Sequence, residues 1–170
     1  AEMAEAAGKE GDLATAIDKL DKIGQENVEK ELLERGFSEA QLAQIRPVFA
    51  LQGTFDEKYQ TLHSLFERSE TGRKGLEELK SVWQLVEDAG LSQDRLEFDV
   101  SLARGLSYYT GAIFEVKALG VSMGSIAGGG RYDNLTGAFG LPGVSGVGIS
   151  FGVDRIYDVM DELQLFPANA

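Results

Sequence analysis

The sequence contains no cysteine, which excludes disulfide bonds and thiolate metal sites. It also lacks any apolar run close to the ~18 residues that a membrane-spanning helix needs. The first residues, Ala-Glu-Met-Ala-Glu, carry acid where a secretory signal carries base. We therefore expect a cytoplasmic protein that stays outside the membrane. Its 170 residues suffice for one ordinary domain or two small ones.

A basic surface is also missing. The formal net charge is −12, and residues 1–100 hold 12 Lys and Arg against 22 Asp and Glu. Residues 101–170 hold 4 basic and 6 acidic residues. Proteins that grip nucleic acid usually carry a basic patch. If this chain comes from an RNA-handling protein, most of the contacts to phosphate are expected elsewhere, or on a local patch.

Histidine is nearly absent, and His63 is the only one. The run Gly120–Gly124 matches the G-x-S-x-G pattern of serine hydrolases, but that mechanism needs an acid and a histidine later in the chain. We interpret the run as a turn entering a strand, and His63 as an exposed or half-buried helix residue. No P-loop pattern occurs, and Gly146–Gly152 is one residue too long for a dinucleotide fingerprint.

Residues 1–90 have the pattern of short amphipathic helices with apolar residues at helical spacing. Capping boxes are predicted at Ser38–Gln41 and Thr54–Glu57, and helix-ending glycines at Gly36 and Gly90. The predicted helices span residues 12–22, 26–35, 39–50, 54–68 and 73–89. Helices joined by such short turns indicate a small bundle.

Residues 91–170 have a different texture. Thirteen of the 21 glycines lie between Gly105 and Gly152, which indicates turns or places where a ligand approaches the backbone. The predicted strands are Leu96–Leu102, Ala112–Ala118, Met123–Ala127 and Val147–Phe151, followed by a helix over Val153–Leu163. Because no long helix separates the strands, the sheet is predicted to be antiparallel. The whole is α+β: a helical module, then an antiparallel sheet with a terminal helix.

Three of the four basic residues after position 100 are arginines in unusual settings. Arg104 is followed by glycine and then by Tyr108 and Tyr109. Arg131 follows three glycines, and Arg155 stands at a strand-to-helix junction, where anions are favoured. Arginine is a permanent cation suited to phosphate or carboxylate. The first run alone also fits a core or surface segment, and the second alone also fits a glycine-rich hairpin.

Taken together, the three runs resemble histidyl-tRNA synthetases. Residues 103–111, Ala-Arg-Gly-Leu-Ser-Tyr-Tyr-Thr-Gly, are similar to the first histidine-specific signature of that family. Residues 127–133, Ala-Gly-Gly-Gly-Arg-Tyr-Asp, are similar to the second, and residues 148–155 look like the third motif of class II synthetases. The resemblance implies residues 1–90 as the family's helical insertion and 91–170 as the C-terminal part of the class II catalytic domain.

The resemblance implies a site that activates histidine. Arg104 would be the catalytic residue, contacting the ATP α-phosphate and the histidine carboxylate. Tyr108, Tyr109, Tyr132 and Gly129 would complete the histidine pocket. Many family members carry an acidic residue or asparagine where this chain has Ser107, which puts the role of that position in doubt.

The ATP site implied by the resemblance comprises Arg104, Gly152 and Arg155. Arg155 would hold the nucleotide near its γ-phosphate and adenine. Mg²⁺ would arrive with ATP and bridge its phosphates, and no metal site of the chain's own and no tightly bound cofactor are expected. The implied partners are histidine, ATP and tRNA(His), with a homodimer for the complete enzyme.

The first two class II motifs have no match in the sequence, and an anticodon-binding domain is not seen. The chain also starts on Ala-Glu-Met with no obvious initiation site. We therefore expect a fragment that does not make histidyl-adenylate by itself. Two alternatives are considered: the non-catalytic, synthetase-like regulatory subunit of ATP phosphoribosyltransferase, and a helical interaction module that the sheet merely scaffolds.

Overall fold

The computed structural model describes residues 1–102 and 108–167. The chain forms two compact units, Ala1–Gly105 and Leu106–Ala170. Helices fill the first unit, and the second contains a three-stranded antiparallel sheet with the order β1-β2-β3. The predicted α+β class is confirmed. Within the described residues, no helix is both long and apolar enough to cross a membrane.

Five α-helices build the first unit. They are α1 (Glu10–Ile17), α2 (Leu20–Glu34), α3 (Glu39–Phe49), α4 (Phe55–Leu65) and α5 (Glu70–Asp88). Both predicted capping boxes are present, because the Ser38 and Thr54 side chains accept from the backbone N–H three residues later and receive the reciprocal bond. Gly36 and Gly90 adopt positive φ angles of 83° and 96° just beyond helix ends.

The predicted bounds of the first helix, residues 12–22, were wrong, because α1 ends at Ile17 and α2 begins at Leu20. The predicted break at residues 23–25 coincides with a kink in α2 at Gly24, whose φ of 78° is not helical. The core of this unit forms where α2 and α3 meet around Val28, Leu32, Leu42 and Ile45, all at most 2% exposed. His63 is exposed on α4, as predicted.

The predicted strand Leu96–Leu102 was also wrong. Residues 96–102 belong to no strand and lie against the helices. The Phe98 ring lies 5.5 Å from that of Phe55, which stacks on Trp83 at 4.3 Å. The Lys58 ammonium donates to the Phe98 carbonyl over 2.7 Å. Phe98 of this segment therefore packs on α4 and does not pair in a sheet.

The second unit contains β1 (Ile113–Val116), β2 (Ala127–Tyr132), α6 (Leu135–Ala138), β3 (Gly146–Phe151) and α7 (Val153–Glu162). The strands predicted around β1 and β3 and the final helix are confirmed. The strand predicted at Met123–Ala127 was misplaced, because β2 begins at Ala127 and runs through the glycines. Gly129 pairs with Phe114 on one side and with Ile149 on the other.

Candidate active site

The pairing of the strands gives the sheet two chemically different faces. Residues directly opposite each other across an antiparallel ladder point to the same face, and neighbours along a strand point to opposite faces. One face therefore carries Tyr132 with Gly146, Gly130 with Gly148, and Gly128 with Ser150. We call it the tyrosine face. Four of these six positions are glycine, so aromatic rings can lie directly against the backbone.

The opposite face is mainly apolar. It carries the side chains of Phe114, Val116, Val147, Ile149 and Phe151, with Arg131 beside Val147. Val147, Ile149 and Phe151 are 70%, 49% and 60% exposed. We call this surface the apolar face.

The Tyr132 ring lies directly over β3. A Cβ atom added at Gly146 would collide with this ring, and one at Gly148 would lie 3.1 Å from both its Cε1 atom and its hydroxyl oxygen. The contact at Gly146 is one that real Cβ atoms essentially never make, and the contact at Gly148 is tighter than most. Gly146 and Gly148 therefore form a ledge that seats the ring against the sheet.

Three tyrosines meet on this face. The ring centroids of Tyr108 and Tyr109 are 4.6 Å apart, and those of Tyr108 and Tyr132 are 6.3 Å apart with an edge-on geometry. A Cβ at Gly130 would lie 2.9 Å from the Tyr109 ring. Adjacent residues of a strand point to opposite faces. Tyr108 lies in a turn, however, so its ring and that of Tyr109 can lie side by side. Aromatic walls with hydroxyl groups suit a small polar ligand.

Hydrogen bonds tie the segment after Tyr109 to the end of β2. The Thr110 hydroxyl donates to Oδ2 of Asp133 over 2.8 Å, and accepts from the Asp133 backbone N–H over 3.0 Å. The Arg131 Nε donates to Oδ1 of the same carboxylate over 3.0 Å. The Thr110 N–H donates to the Arg131 carbonyl over 3.0 Å. We call the doubly bonded pair Thr110 and Asp133 the clasp.

Arg155 lies in the first turn of α7, directly after β3. Gly152 is the residue preceding this helix, and its N–H donates to the Ile126 carbonyl over 2.8 Å. The Arg155 guanidinium donates to the Ser125 carbonyl over 2.7 Å. The side chain is thereby held at the positive end of the helix. A guanidinium together with backbone N–H groups at a helix start forms a site for an anion.

The structure brings together some of the predicted site residues but not all. Tyr108, Tyr109 and Tyr132 share one face, and Gly152 and Arg155 share one helix start. Arg104 and Ser107 lie outside the described residues. Gly129 points to the apolar face, where a Cβ would lie 2.9 Å from the Phe114 ring, so only its backbone is available to a ligand on the tyrosine face.

Sequence reasoning missed the ledge, Gly130 and the clasp. The signal for the ledge was present, because Gly146 and Gly148 are two residues apart in a strand and therefore share a face. In the sequence, the same spacing also resembles part of a nucleotide-binding fingerprint, and this resemblance obscures the shared face. The clasp could not be found, because nothing in the sequence shows that Thr110 faces Asp133.

Comparisons with known proteins identify the family of the chain. Residues 1–156 match the family model described as Histidyl-tRNA synthetase. The chain is 59% identical to a histidine–tRNA ligase of Cytophaga hutchinsonii over 98% of its length, and 56% identical to one of Bacteroides fragilis over its whole length. It spans only 38% and 37% of the lengths of these two relatives.

Solved structures give the same result. The crystal structure of histidyl-tRNA synthetase from Nostoc sp. PCC 7120 superposes with a TM-score of 0.88 at 31% identity, covering 98% of this chain and 40% of that one. A histidine–tRNA ligase subunit from Alicyclobacillus acidocaldarius gives a TM-score of 0.68 at 27% identity, over 95% of this chain and 51% of that one. Fold and site thus define a piece of a class II aminoacyl-tRNA synthetase. Within that class, the chain belongs to the histidyl-tRNA synthetase family.

Proposed function

We propose that the complete protein is a histidine–tRNA ligase and that this chain carries part of its activation site. In that reaction the histidine carboxylate attacks the α-phosphate of ATP and pyrophosphate leaves. A ribose hydroxyl at the 3′ end of tRNA(His) then attacks the histidyl carbonyl, and AMP leaves. The observation that carries the proposal is the meeting of tyrosines from two separate signatures on a sheet face floored by glycine.

The tyrosine face is the proposed histidine pocket. Tyr108, Tyr109 and Tyr132 supply apolar walls and hydroxyl groups that orient the imidazole. Gly129 is proposed to contribute to the pocket through its backbone. The neighbouring glycines let the tyrosine rings lie close to the sheet.

The proposed ATP site lies at the start of α7, with Gly152 and Arg155. The guanidinium of Arg155 and the helix dipole both favour phosphate. Arg104 is proposed to stabilise the charge that builds up between the α-phosphate and the histidine carboxylate. The described residues contain no group of three or more metal-ligating side chains. Magnesium is proposed to arrive with ATP, whose phosphates would bring it into the site.

The wider assignments extend this proposal. Residues 1–90 are proposed as the helical insertion and 91–170 as the C-terminal part of the catalytic domain. The complete protein is proposed to act as a cytoplasmic homodimer. The alternative of a regulatory subunit of ATP phosphoribosyltransferase is disfavoured, because the relatives at 56–59% identity are named histidine–tRNA ligases.

The test is histidine-dependent exchange of pyrophosphate into ATP by the full-length protein. Replacement Arg104→Ala is expected to lower the rate by about two to three orders of magnitude, as removal of a transition-state donor does. Arg73→Ala removes the same charge from an exposed position on α5 and serves as the control. The 170 residues alone are expected to show no exchange.

Two outcomes would contradict the proposal. Absence of histidine-dependent exchange by the full-length protein would overturn the assigned activity. Equal rates for the Arg104→Ala and Arg73→Ala proteins would leave the activity in place and remove Arg104 from the reaction.

A further inference from the structure

We infer that Thr110 and Asp133, the two residues of the clasp, are positioning residues for the histidine pocket. This inference rests on the proposed function. Each stands next to a tyrosine of the pocket along the chain, Thr110 after Tyr109 and Asp133 after Tyr132. The clasp therefore joins the two signatures at the point where both deliver their aromatic rings.

The position of the clasp in the sheet gives it this influence. The paired part of β1 starts at Ile113. Before it, two backbone bonds continue the pairing with β2, from the Arg131 N–H to the Ala112 carbonyl over 2.9 Å and from the Thr110 N–H to the Arg131 carbonyl over 3.0 Å. The clasp adds a side-chain link at the end of this extended pairing. The turn that contains Tyr108 comes just before Thr110 in the chain. A shift at Thr110 would thus be transmitted to both rings.

The hydrogen bonds of the clasp fix the orientation of both of its residues. The Thr110 hydroxyl donates to the carboxylate and accepts from the backbone N–H of the same residue. The second carboxylate oxygen accepts from Arg131. With both oxygens engaged, the Asp133 side chain has a fixed orientation. The hydroxyl in turn fixes the backbone of Thr110, and thus the path of the chain that leads back to Tyr109.

The exposure of the clasp separates a positioning role from a stabilising one. Thr110 is exposed, and the Asp133 side chain retains 36% of its accessible surface. Hydrogen bonds and ion pairs at such positions add little to the free energy of unfolding, because water replaces them readily. These bonds can still set the positions of the neighbouring tyrosine rings, even though they add little stability. Loss of the clasp should therefore change substrate binding more than stability.

The experiment compares Thr110→Val, Thr110→Ser and Asp133→Asn in the full-length protein. Valine keeps the shape and removes both bonds of the hydroxyl, whereas serine retains the hydroxyl. Asparagine replaces one acceptor oxygen by a donor. Thr136→Val is the matched control, because the Thr136 hydroxyl also bonds within this unit, to the Val144 carbonyl, but not beside a tyrosine of the pocket.

Pyrophosphate exchange is measured with histidine and ATP varied separately, alongside thermal unfolding. We expect Thr110→Val and Asp133→Asn to raise the KM for histidine about tenfold, since small misplacements of a binding group have effects of this order or larger. The KM for ATP and the unfolding temperature should stay near the wild-type values. Thr110→Ser should restore the KM for histidine, and Thr136→Val should leave it unchanged.

Three results would overturn the inference. The first is an unchanged KM for histidine in both Thr110→Val and Asp133→Asn. The second is an equal rise of both KM values with a matching fall in unfolding temperature, which marks a structural role. In either case, wild-type exchange with histidine would leave the proposed function intact. The third is the absence of that wild-type exchange, which would remove the proposed function and the inference together.

Discussion

Single atoms decide where the Tyr132 ring can lie. Each of the residues beneath it lacks a Cβ atom, and at Gly146 even one methyl group would collide with the ring. Glycine is used at these positions for the space it leaves, because neither Gly146 nor Gly148 has a positive φ angle. The ledge is therefore a steric device that sets the height of the ring above β3.

Replacement Gly146→Ala tests this device. The methyl group should displace the Tyr132 ring, and the KM for histidine of the full-length protein should rise on the order of tenfold or more. Gly137→Ala is the control, because a Cβ there would lie 3.7 Å from the Cα atom of Pro142, an ordinary contact. Steady-state exchange kinetics measure both. A KM for histidine that is equal in the two variants would show that the ring does not contribute to binding.

At the scale of elements, the helices show what the sequence could predict. The helix starts at Ser38 and Thr54 depend on residues only three positions away, so local patterns located α3 and α4 closely. The strand prediction for residues 96–102 failed because Phe98 packs on the ring of Phe55, which is distant in sequence. Strand β2 was misplaced because a run of glycines has no side-chain pattern to read.

In the candidate site, too, local patterns were predictable and contacts between distant segments were not. Resemblance selected Tyr108, Tyr109 and Tyr132, because they lie inside recognisable runs. It could not show that the three rings meet, since the segment after Tyr109 is joined to the end of β2 only by backbone bonds between Thr110, Ala112 and Arg131. Nor could it show that Gly129 faces Phe114, because the face of a strand residue depends on the register.

Acid should destabilise the helical unit, because two carboxylates on α2 accept hydrogen bonds from basic side chains. Hydrogen bonds from Arg46 lower the pKa of Glu29, and those from Lys19 and then Arg35 lower the pKa of Glu31. A carboxyl whose pKa is lower in the folded state stabilises the protein above its unfolded value, here 4.5. This contribution is lost as the pH falls through the folded value.

We therefore expect the unfolding temperature, followed by circular dichroism, to fall as the pH drops below about 4.5. Glu31→Gln, which removes one of these carboxylates, should lower the unfolding temperature at pH 7 and make its fall in acid shallower. Glu26→Gln removes an exposed carboxylate from the same helix and is the control. Identical pH profiles for wild type and Glu31→Gln would contradict this account.

At the scale of the whole molecule, the apolar face is the conspicuous surface. Five large apolar side chains share it, and three of them are about half exposed or more. Contiguous apolar surface of this kind is uncommon on proteins that work alone. The related ligases are longer, since this chain spans 38% of the Cytophaga protein. We propose that further parts of the complete protein cover the face.

The isolated 170 residues should therefore bind the dye ANS and self-associate, and the full-length protein should do so much less. Replacing both Val147 and Ile149 with threonine keeps β-branched residues in the strand and makes the face more polar. This double variant should reduce dye fluorescence of the isolated chain. Val82→Thr, at a 44% exposed position on α5, should not. Dye binding that is equal for the isolated chain and the full-length protein would show that the face stays open.

The glycines of β2 also have a consequence for the order of folding. Glycine loses more conformational freedom than any other residue when it becomes ordered, and three of the six residues of this central strand are glycines. In the described sheet, β1 and β3 each pair with β2 and not with one another. Neither β1 nor β3 can therefore form its hydrogen bonds in the sheet until β2, the strand with the highest entropic cost of ordering, is in place. The local contacts of α1–α5 should form first, and the tyrosine pocket should be among the last features that the folding chain acquires.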